Sequence, residues 1–160
     1  MTRSTAREIA IQLSFAAAAS GRAPAEIADD FFSEEHYATL AEENELFSER
    51  PNKKQLSYIR TLIALIEEHR YELDTYIERY AKGWRVERLS RTALAVLRCA
   101  ICEILYMEDV PTAAAIDEAV ELDKNYDEPE TVAFVNGVLG AFVREELKEE
   151  ANQASVPVTE

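Results

Sequence analysis

Two cysteines in a CxxC spacing are the first candidates for chemistry in this chain of 160 residues. Cys99 and Cys102 could form a redox pair or half of a metal site. A zinc site needs two further ligands, and the two histidines, His36 and His69, stand isolated and far from the pair. A thioredoxin-type motif needs a βαβ setting, which the sequence does not offer. Because buried thiols behave as small apolar groups, the sequence favours two core cysteines in a helix.

The histidines also miss the pattern of a carboxylate-bridged metal centre. Such centres in helical bundles carry a Glu three residues before a His, whereas Ile66 and Ser33 occupy those positions here. The chain has no glycine-rich phosphate loop, no G-x-S-x-G and no H-E-x-x-H motif. Abundant carboxylates without a defined constellation do not make an active site. We therefore predict a protein that is not an enzyme and that holds no metal and no cofactor.

Charge is distributed unevenly along the sequence. The formal net charge is −14, from 31 acidic and 17 basic residues. Residues 23–50 and 103–131 are strongly acidic, whereas residues 1–22 and 82–98 are basic islands. The net charge argues against a nucleic-acid partner, but salt screens long-range repulsion, so a local patch can still bind phosphates. The basic islands indicate either such a patch or ordinary solvated helix faces.

Apolar residues recur with the period of an α-helix along most of the chain. This periodicity predicts helices over residues 3–20, 91–107 and 53–81, the last as one helix or as two broken near residues 69–73. Ser20-Gly21 and Ser90 are a helix stop and a helix cap. No strand alternation and no internal repeat is visible. The prediction is an all-α fold of about seven helices in two packed bundles.

Length and composition predict one helical domain over residues 1–148, followed by a disordered acidic tail over residues 149–160. No apolar run reaches the ~18 residues of a membrane span. The N-terminus lacks the apolar core and cleavage site of a secretory signal. These features predict a cytoplasmic protein without a membrane partner.

Residues 115–143 predict two helices joined by a tight corner at residues 127–129. An acidic cap followed by Pro129 in the first turn is typical of a helix start. Phe134 lies at the edge of the apolar stripe of the second helix, so its ring should be partly exposed. Gly137 and Gly140 lie away from that stripe, and because mid-helix glycine is unfavourable they predict a close helix contact.

Two charged residues fall on apolar helix faces and need partners there. Asp123 lies on the apolar side of the helix before the corner, and Arg98 lies within or beside the stripe of residues 91–107. We predict that Asp123 is partly buried against an Arg or a backbone group, with Arg98 as the candidate. Arg98 itself requires a carboxylate.

The first predicted helix carries a second line of residues opposite its core stripe. Arg7, Ile11 and Phe15 follow one another at intervals of four. An apolar pair outside the main stripe indicates either a partner site or packing against residues 23–50.

Several motifs, taken together, resemble the NusB family of bacterial transcription antitermination proteins. They are AREIAIQ near the N-terminus, the central AVLR, Val110-Pro111 followed by IDEAVEL, and FVNGVL, in that order over roughly residues 3–148. The resemblance implies a NusB-like helical domain that acts in ribosomal RNA transcription. Its implied partners are single-stranded boxA-type RNA, a small ribosomal-subunit protein that doubles as antitermination factor NusE, and the transcription elongation complex.

The resemblance and the basic islands together give two sets of site residues. The predicted RNA-binding residues are Arg3, Arg7, Arg85, Arg88, Arg91, Glu130 and Phe134. The predicted residues for NusE are Ile11 and Phe15, which should be more exposed than Ile9 and Leu13. We predict that the arginines meet on one side near the start of the FVNGVL helix, where Phe134 stacks on unpaired bases.

This sequence departs from the family pattern at several positions. Only Arg3 and Arg7 stand where the family has an Arg-rich arm, and IDEAVELDK carries Asp117 and Asp123 in place of Asn and Ala. The alternative function is therefore a helical interaction domain of NusB type with weak or lost RNA binding.

Overall fold

The computed structural model describes residues 1–43, 49–83 and 89–147, except for the side chains of residues 41–43. The described residues form eight α-helices, one more than the approximate count predicted. Their bounds are α1 (Arg3–Ser20), α2 (Pro24–Phe31), α3 (Glu34–Glu43), α4 (Lys53–Glu68), α5 (Arg70–Tyr80), α6 (Arg91–Tyr106), α7 (Thr112–Asp123) and α8 (Pro129–Glu146). The predicted pattern over residues 53–81 divides at His69, which ends α4 and precedes α5.

Local sequence signals set several helix ends. Gly21 closes α1 in the left-handed region at φ 73° and donates its N–H to the Ala17 carbonyl, a conformation that favours glycine. Ser90 Oγ accepts the Ala93 N–H at the start of α6. Pro129 occupies the first turn of α8, where its missing N–H leaves no helix hydrogen bond unmade. These three predicted boundaries are confirmed.

The helices form two packed groups that meet at α6. The first group is α1, α2 and α4, and the second is α5, α7 and α8 around α6, which also packs against α1 and α4. One continuous apolar cluster runs through both groups. This all-α arrangement confirms the predicted fold class. No helix among the described residues is long and apolar enough to cross a membrane.

The two cysteines lie in the core of α6. Both are free thiols and both are buried, which confirms the interpretation as small core residues. Burial raises the pKa of the Cys99 thiol well above its usual value and that of Cys102 to about 12. Within the described ranges, no group of three or more His, Cys, Asp or Glu side chains is placed to hold a metal ion.

The glycines of α8 do not mediate a close helix contact. Gly137 is exposed, and a Cβ built there meets no atom within 4 Å. A Cβ on Gly140 meets only the Arg144 side chain, at 3.6 Å. The predicted close contact is therefore wrong: α8 packs through its apolar stripe, and the glycines fall outside that packing face.

Candidate partner groove and RNA surface

A groove of about 380 Å³ lies between α1, α6 and α7. Its floor is apolar and consists of Ile11 from α1, Ala95 from α6 and Leu122 from α7, all buried. All three residues belong to the continuous apolar cluster of the core. The floor is thus a continuation of the core that reaches the surface. We call this feature the partner groove.

Exposed aromatic residues form the rim of the partner groove. Phe15 is 37% exposed and Tyr126 is 48% exposed, whereas Ile9 is fully buried and Leu13 is 4% exposed. The Arg91 guanidinium lies 5.9 Å from the centre of the Phe15 ring. The predicted greater exposure of Phe15 is confirmed.

Ile11 is 6% exposed, which is slightly more than Ile9 and Leu13 as predicted, but it is a buried residue and not a surface one. It lines the groove together with Ala95 of α6 and Leu122 of α7, so it forms the floor of the groove and not its rim. Ile11 and Phe15 nevertheless line the same groove.

The groove also carries hydrogen-bonding groups at its edge. The Tyr126 hydroxyl donates to the Glu8 carboxylate. Burial, with Glu8 adding to it, raises the pKa of Tyr126 to about 12, so the hydroxyl keeps its proton at neutral pH. The groove therefore combines an apolar floor, two aromatic rings, one cation and one carboxylate.

Arg7 lies in the core and not on the surface. It is 3% exposed, and its Nε and Nη2 donate to Glu103 Oε1 and Oε2 at 2.7 and 2.9 Å. Its Nη1 lies 3.4 Å from Glu118 Oε2, without hydrogen-bond geometry. Burial lowers the pKa of Arg7, but the hydrogen bonds and charge of Glu103 outweigh burial and raise it overall. The expected exposure of Arg7 is corrected: its guanidinium is committed to a buried ion pair.

Glu103 is the centre of this buried network, and the sequence did not single it out. Its Oε1 also accepts from Tyr58 Oη at 3.0 Å and from Cys99 Sγ at 3.3 Å. Glu103 is fully buried. An acid within the apolar run of α6, together with an Arg opposite the core stripe of α1, is the sequence signal that could have predicted this pair.

Arg3 and Arg91 lie near different ends of α1. Arg3 is exposed at the start of α1, with its guanidinium 5.1 Å from the Tyr58 ring centre and 3.6 Å from Asp109 Oδ2. Arg91 lies by Phe15, twelve residues further along the helix, or about 18 Å at 1.5 Å per residue. The two guanidinium groups therefore lie near opposite ends of α1, and their place on one side of the protein stays a prediction. Arg85 and Arg88 lie outside the described residues.

Glu130 and Phe134 lie one turn apart on α8 and share a face of that helix. Glu130 is exposed in the first turn, where the helix dipole favours a negative charge. Phe134 is half-buried and packs against the core. The predicted partial exposure of its ring is confirmed.

Comparison with known proteins identifies the family of this chain. The sequence model of the NusB family matches residues 4–144. The chain belongs to the NusB family. The transcription antitermination protein NusB of Acetivibrio thermocellus is 37% identical over 147 residues, which is 92% of this chain and 92% of that protein. The NusB of Symbiobacterium thermophilum is 36% identical over 144 residues, which is 90% of each chain.

Solved NusB structures share the fold. T. maritima NusB in a P3121 crystal form superposes with a TM-score of 0.75 at 27% identity, covering 96% of this chain and 98% of that one. NusB in a complex of antitermination factors NusB and NusE with double-stranded RNA has a TM-score of 0.68 at 24% identity, covering 89% and 96%. At that identity the second likeness concerns the fold alone.

This NusB family member differs from the sequence prediction at the corner between α7 and α8. Asp123 is fully buried, and neither of its carboxylate oxygens has a hydrogen-bond partner among the described residues. Arg98 instead pairs with Asp74 of α5, with Nε and Nη2 at 2.7 and 2.9 Å from the two carboxylate oxygens. The predicted Asp123–Arg98 pair is wrong because Arg98 faces α5. The need of Arg98 for a carboxylate is confirmed.

Proposed function

We propose that this protein is a transcription antitermination factor that binds boxA-type RNA together with NusE during ribosomal RNA transcription. Membership of the NusB family and relatives named transcription antitermination protein NusB support this function. The observation that carries the NusE part of the proposal is the partner groove. It holds both residues that the family resemblance assigns to NusE, Ile11 and Phe15.

The partner groove has the composition of a protein-binding site. Energetically important contacts in such sites centre on a buried apolar pocket with aromatic and Arg residues around it. Here the floor around Ile11 is apolar, and Phe15, Tyr126 and Arg91 surround it. We infer that NusE inserts an apolar side chain between the two rings, while Arg91 and Glu8 pair with polar groups of NusE.

The described residues proposed to bind RNA are Phe134 and Glu130 on α8 and Arg3 at the start of α1. A partly exposed ring can stack on an unpaired base, which contributes about 1–3 kcal/mol per base. Among the described arginines of the predicted RNA set, Arg7 is buried and Arg91 lies at the partner groove, which leaves Arg3 as the exposed cation. The net charge of −14 also slows the approach of RNA. We therefore expect weak RNA binding by the protein alone, a shallow salt dependence, and stronger binding with NusE.

Several wider assignments remain predictions. They are the transcription elongation complex as the larger partner, a cytoplasmic location, the absence of enzymatic activity, and one domain over residues 1–148. The predicted tail over residues 149–160 lies outside the described residues.

The second candidate function is a NusB-type interaction domain with weak or lost RNA binding. Two observations favour it: the burial of Arg7 in an ion pair with Glu103 and the strongly acidic composition. In this case the partner groove would still bind NusE, whereas Phe134 and Glu130 on α8 would not bind RNA.

Fluorescence anisotropy with labelled boxA-type RNA separates the two functions. Single-stranded and double-stranded forms are titrated with this protein, with NusE, and with an equimolar mixture. We expect the mixture to bind the single-stranded form more tightly than either protein does alone. Equal binding by NusE alone and by the mixture would exclude the RNA role and favour the interaction domain.

Single-residue variants test separately whether the partner groove binds NusE and whether Phe134 binds RNA. Phe15→Asp should abolish NusE binding in calorimetry while leaving the thermal midpoint nearly unchanged, since Phe15 is partly exposed. Phe134→Ala should keep NusE binding and weaken RNA binding by the heterodimer about 5- to 150-fold, the equivalent of one lost stacking contact. Tyr71→Ala is the matched control, because Tyr71 is an aromatic residue that is 88% exposed on α5. Parent-like NusE binding by Phe15→Asp would remove the partner groove from the proposal.

A further inference from the structure

The corner between α7 and α8 holds two carboxylates separated by one helical turn. Asp123 is the last residue of α7, and its carbonyl accepts the Asp127 N–H at 2.9 Å. The Asp123 side chain is fully buried with both oxygens unpartnered among the described residues. A carboxylate in such a position is stable only with a counter-charge or with a proton of its own.

The second carboxylate connects the corner to α6. Ser90 Oγ donates to Asp127 Oδ2 at 3.0 Å and accepts the Ala93 N–H as the cap of α6. A hydroxyl can donate one hydrogen bond, and the Ser90 hydroxyl donates it to Asp127. Asp127 Oδ2 is thus occupied as the acceptor of this hydrogen bond, whereas Asp123 is the fully buried member of the pair, to which we assign the proton.

Other charged groups on the helices packed against α7 are engaged elsewhere or exposed. On α1, Arg7 pairs with Glu103 and Glu118, and Glu8 accepts from Tyr126. On α6, Arg91 lies over the Phe15 ring. At the start of α8 the carboxylates of Glu128 and Glu130 are exposed. On and directly after α7, the remaining charged side chains are exposed as well; they are Asp117, Glu121 and Lys124.

Asp127 is thus the described charged group that acts on Asp123. Burial, then hydrogen bonding between the two side chains in the protonated form, and then the negative charge of Asp127 raise the pKa of Asp123 to about 7. The direction follows from the geometry, because both removal from water and a nearby like charge disfavour the ionised form.

We propose that Asp123 and Asp127 hold a single proton, carried by Asp123, and that this proton fastens the α7–α8 corner to the start of α6. When the pH rises, the proton passes to water or buffer base, and Asp123 becomes a buried anion beside a second carboxylate. The corner then loosens through charge repulsion and hydration of Asp123. The protein would in this way contain a pH-sensitive joint directly before α8.

The sign of the pH dependence is fixed by the direction of the shift. An Asp in the unfolded chain has a pKa of about 3.9, below its value in the folded protein, so the folded state binds more protons between the two values. The stabilisation by this proton is complete below the unfolded pKa and is lost as the pH rises through about 7.

Thermal midpoints measured from pH 5 to pH 8.5 at constant ionic strength test the proposal. The proteins are the parent, Asp123→Asn, and Asp117→Asn, which makes the same change at an exposed position of the same helix. We expect the midpoint of Asp123→Asn to rise relative to the parent as the pH increases, with the change centred near 7. The Asp117→Asn curve should run parallel to the parent. A pH-independent difference between Asp123→Asn and the parent would overturn the proposal.

Carboxyl NMR of the parent labelled with ¹³C at Asp Cγ gives a second readout that needs no variant to fold. One resonance should titrate near pH 7, vanish in Asp123→Asn and shift its midpoint in Asp127→Asn. Titration of every Asp below about pH 5 would overturn the proposal. So would a rise of the parent midpoint with Na⁺, Mg²⁺ or Ca²⁺ at fixed ionic strength that Asp123→Asn lacks, because the acids would then hold a cation in place of a proton.

Discussion

Glu103 and Asp123 are two fully buried acids in one small helical protein, yet their surroundings are opposite. Glu103 receives two hydrogen bonds from Arg7, one from Tyr58 and one from Cys99. Asp123 receives none from the described residues and lies next to a second acid. Burial alone therefore does not determine whether a carboxylate stabilises or destabilises the fold. The groups that surround the carboxylate determine it.

The difference has a physical origin in the packing of α6. Glu103 lies where α1 and α4 both contact α6, so side chains from three helices converge on it and compensate its desolvation. Asp123 lies at a corner between consecutive helices, where its neighbour in sequence, Asp127, already uses the nearby hydroxyl of Ser90. We expect Glu103 to stabilise the fold and ionised Asp123 to destabilise it.

The largest effect on stability should come from removing the charge of Glu103, which is the acceptor of all the hydrogen bonds in the buried network. Glu103→Gln leaves the buried Arg7 cation with only the half-exposed Glu118 as a counter-charge, which should lower the free energy of unfolding by about 3–5 kcal/mol. Urea denaturation at pH 7 measures this loss. Glu118→Gln is the control, because Glu118 is a half-exposed partner of the same Arg7 and should change stability by less than about 1 kcal/mol. Equal losses for both variants would mean that the buried pair has no special role.

Asp123→Ala should change the free energy of unfolding in the opposite direction. Removal of a buried, unpartnered carboxylate should raise the free energy of unfolding at pH 8 by about 1–3 kcal/mol, and the gain should shrink at pH 5, where the parent holds a proton. Asp117→Ala on the exposed side of α7 serves as the control in the same denaturation series. A loss of stability at pH 8 would show that Asp123 has a compensating partner and would remove the contrast with Glu103.

The smallest effect on stability should come from removing one hydrogen bond of the Glu103 network. Tyr58→Phe removes the hydroxyl that donates to Glu103 Oε1 and should lower the free energy of unfolding by about 0.5–1.5 kcal/mol. Tyr71→Phe, at an exposed ring on α5, should leave stability unchanged. If Tyr58→Phe also has no effect, the Tyr58 hydroxyl does not contribute to the stability of the network.

Most of the helical framework could be predicted from the sequence. The stops and caps at Gly21, Ser90 and Pro129 act through one or two backbone groups a few residues away, so they operate before any tertiary packing. The partial exposure of Phe15 and Phe134 also followed from helical phase. The family resemblance, carried by motifs such as FVNGVL, supplied the expected function.

The sequence by itself thus determined the all-α class, several helix ends and the side of the helix on which many residues lie. Only the tertiary structure decided which groups meet across helices: Arg7 with Glu103, 96 residues apart, Arg98 with Asp74, and Asp123 with no cation at all among the described residues. Helical periodicity fixes the direction of a side chain about its own axis, but it carries no information about which other helix will cover that face. The choice of a partner depends on how all the apolar stripes pack at once, and that choice turned one expected RNA ligand into a core ion pair.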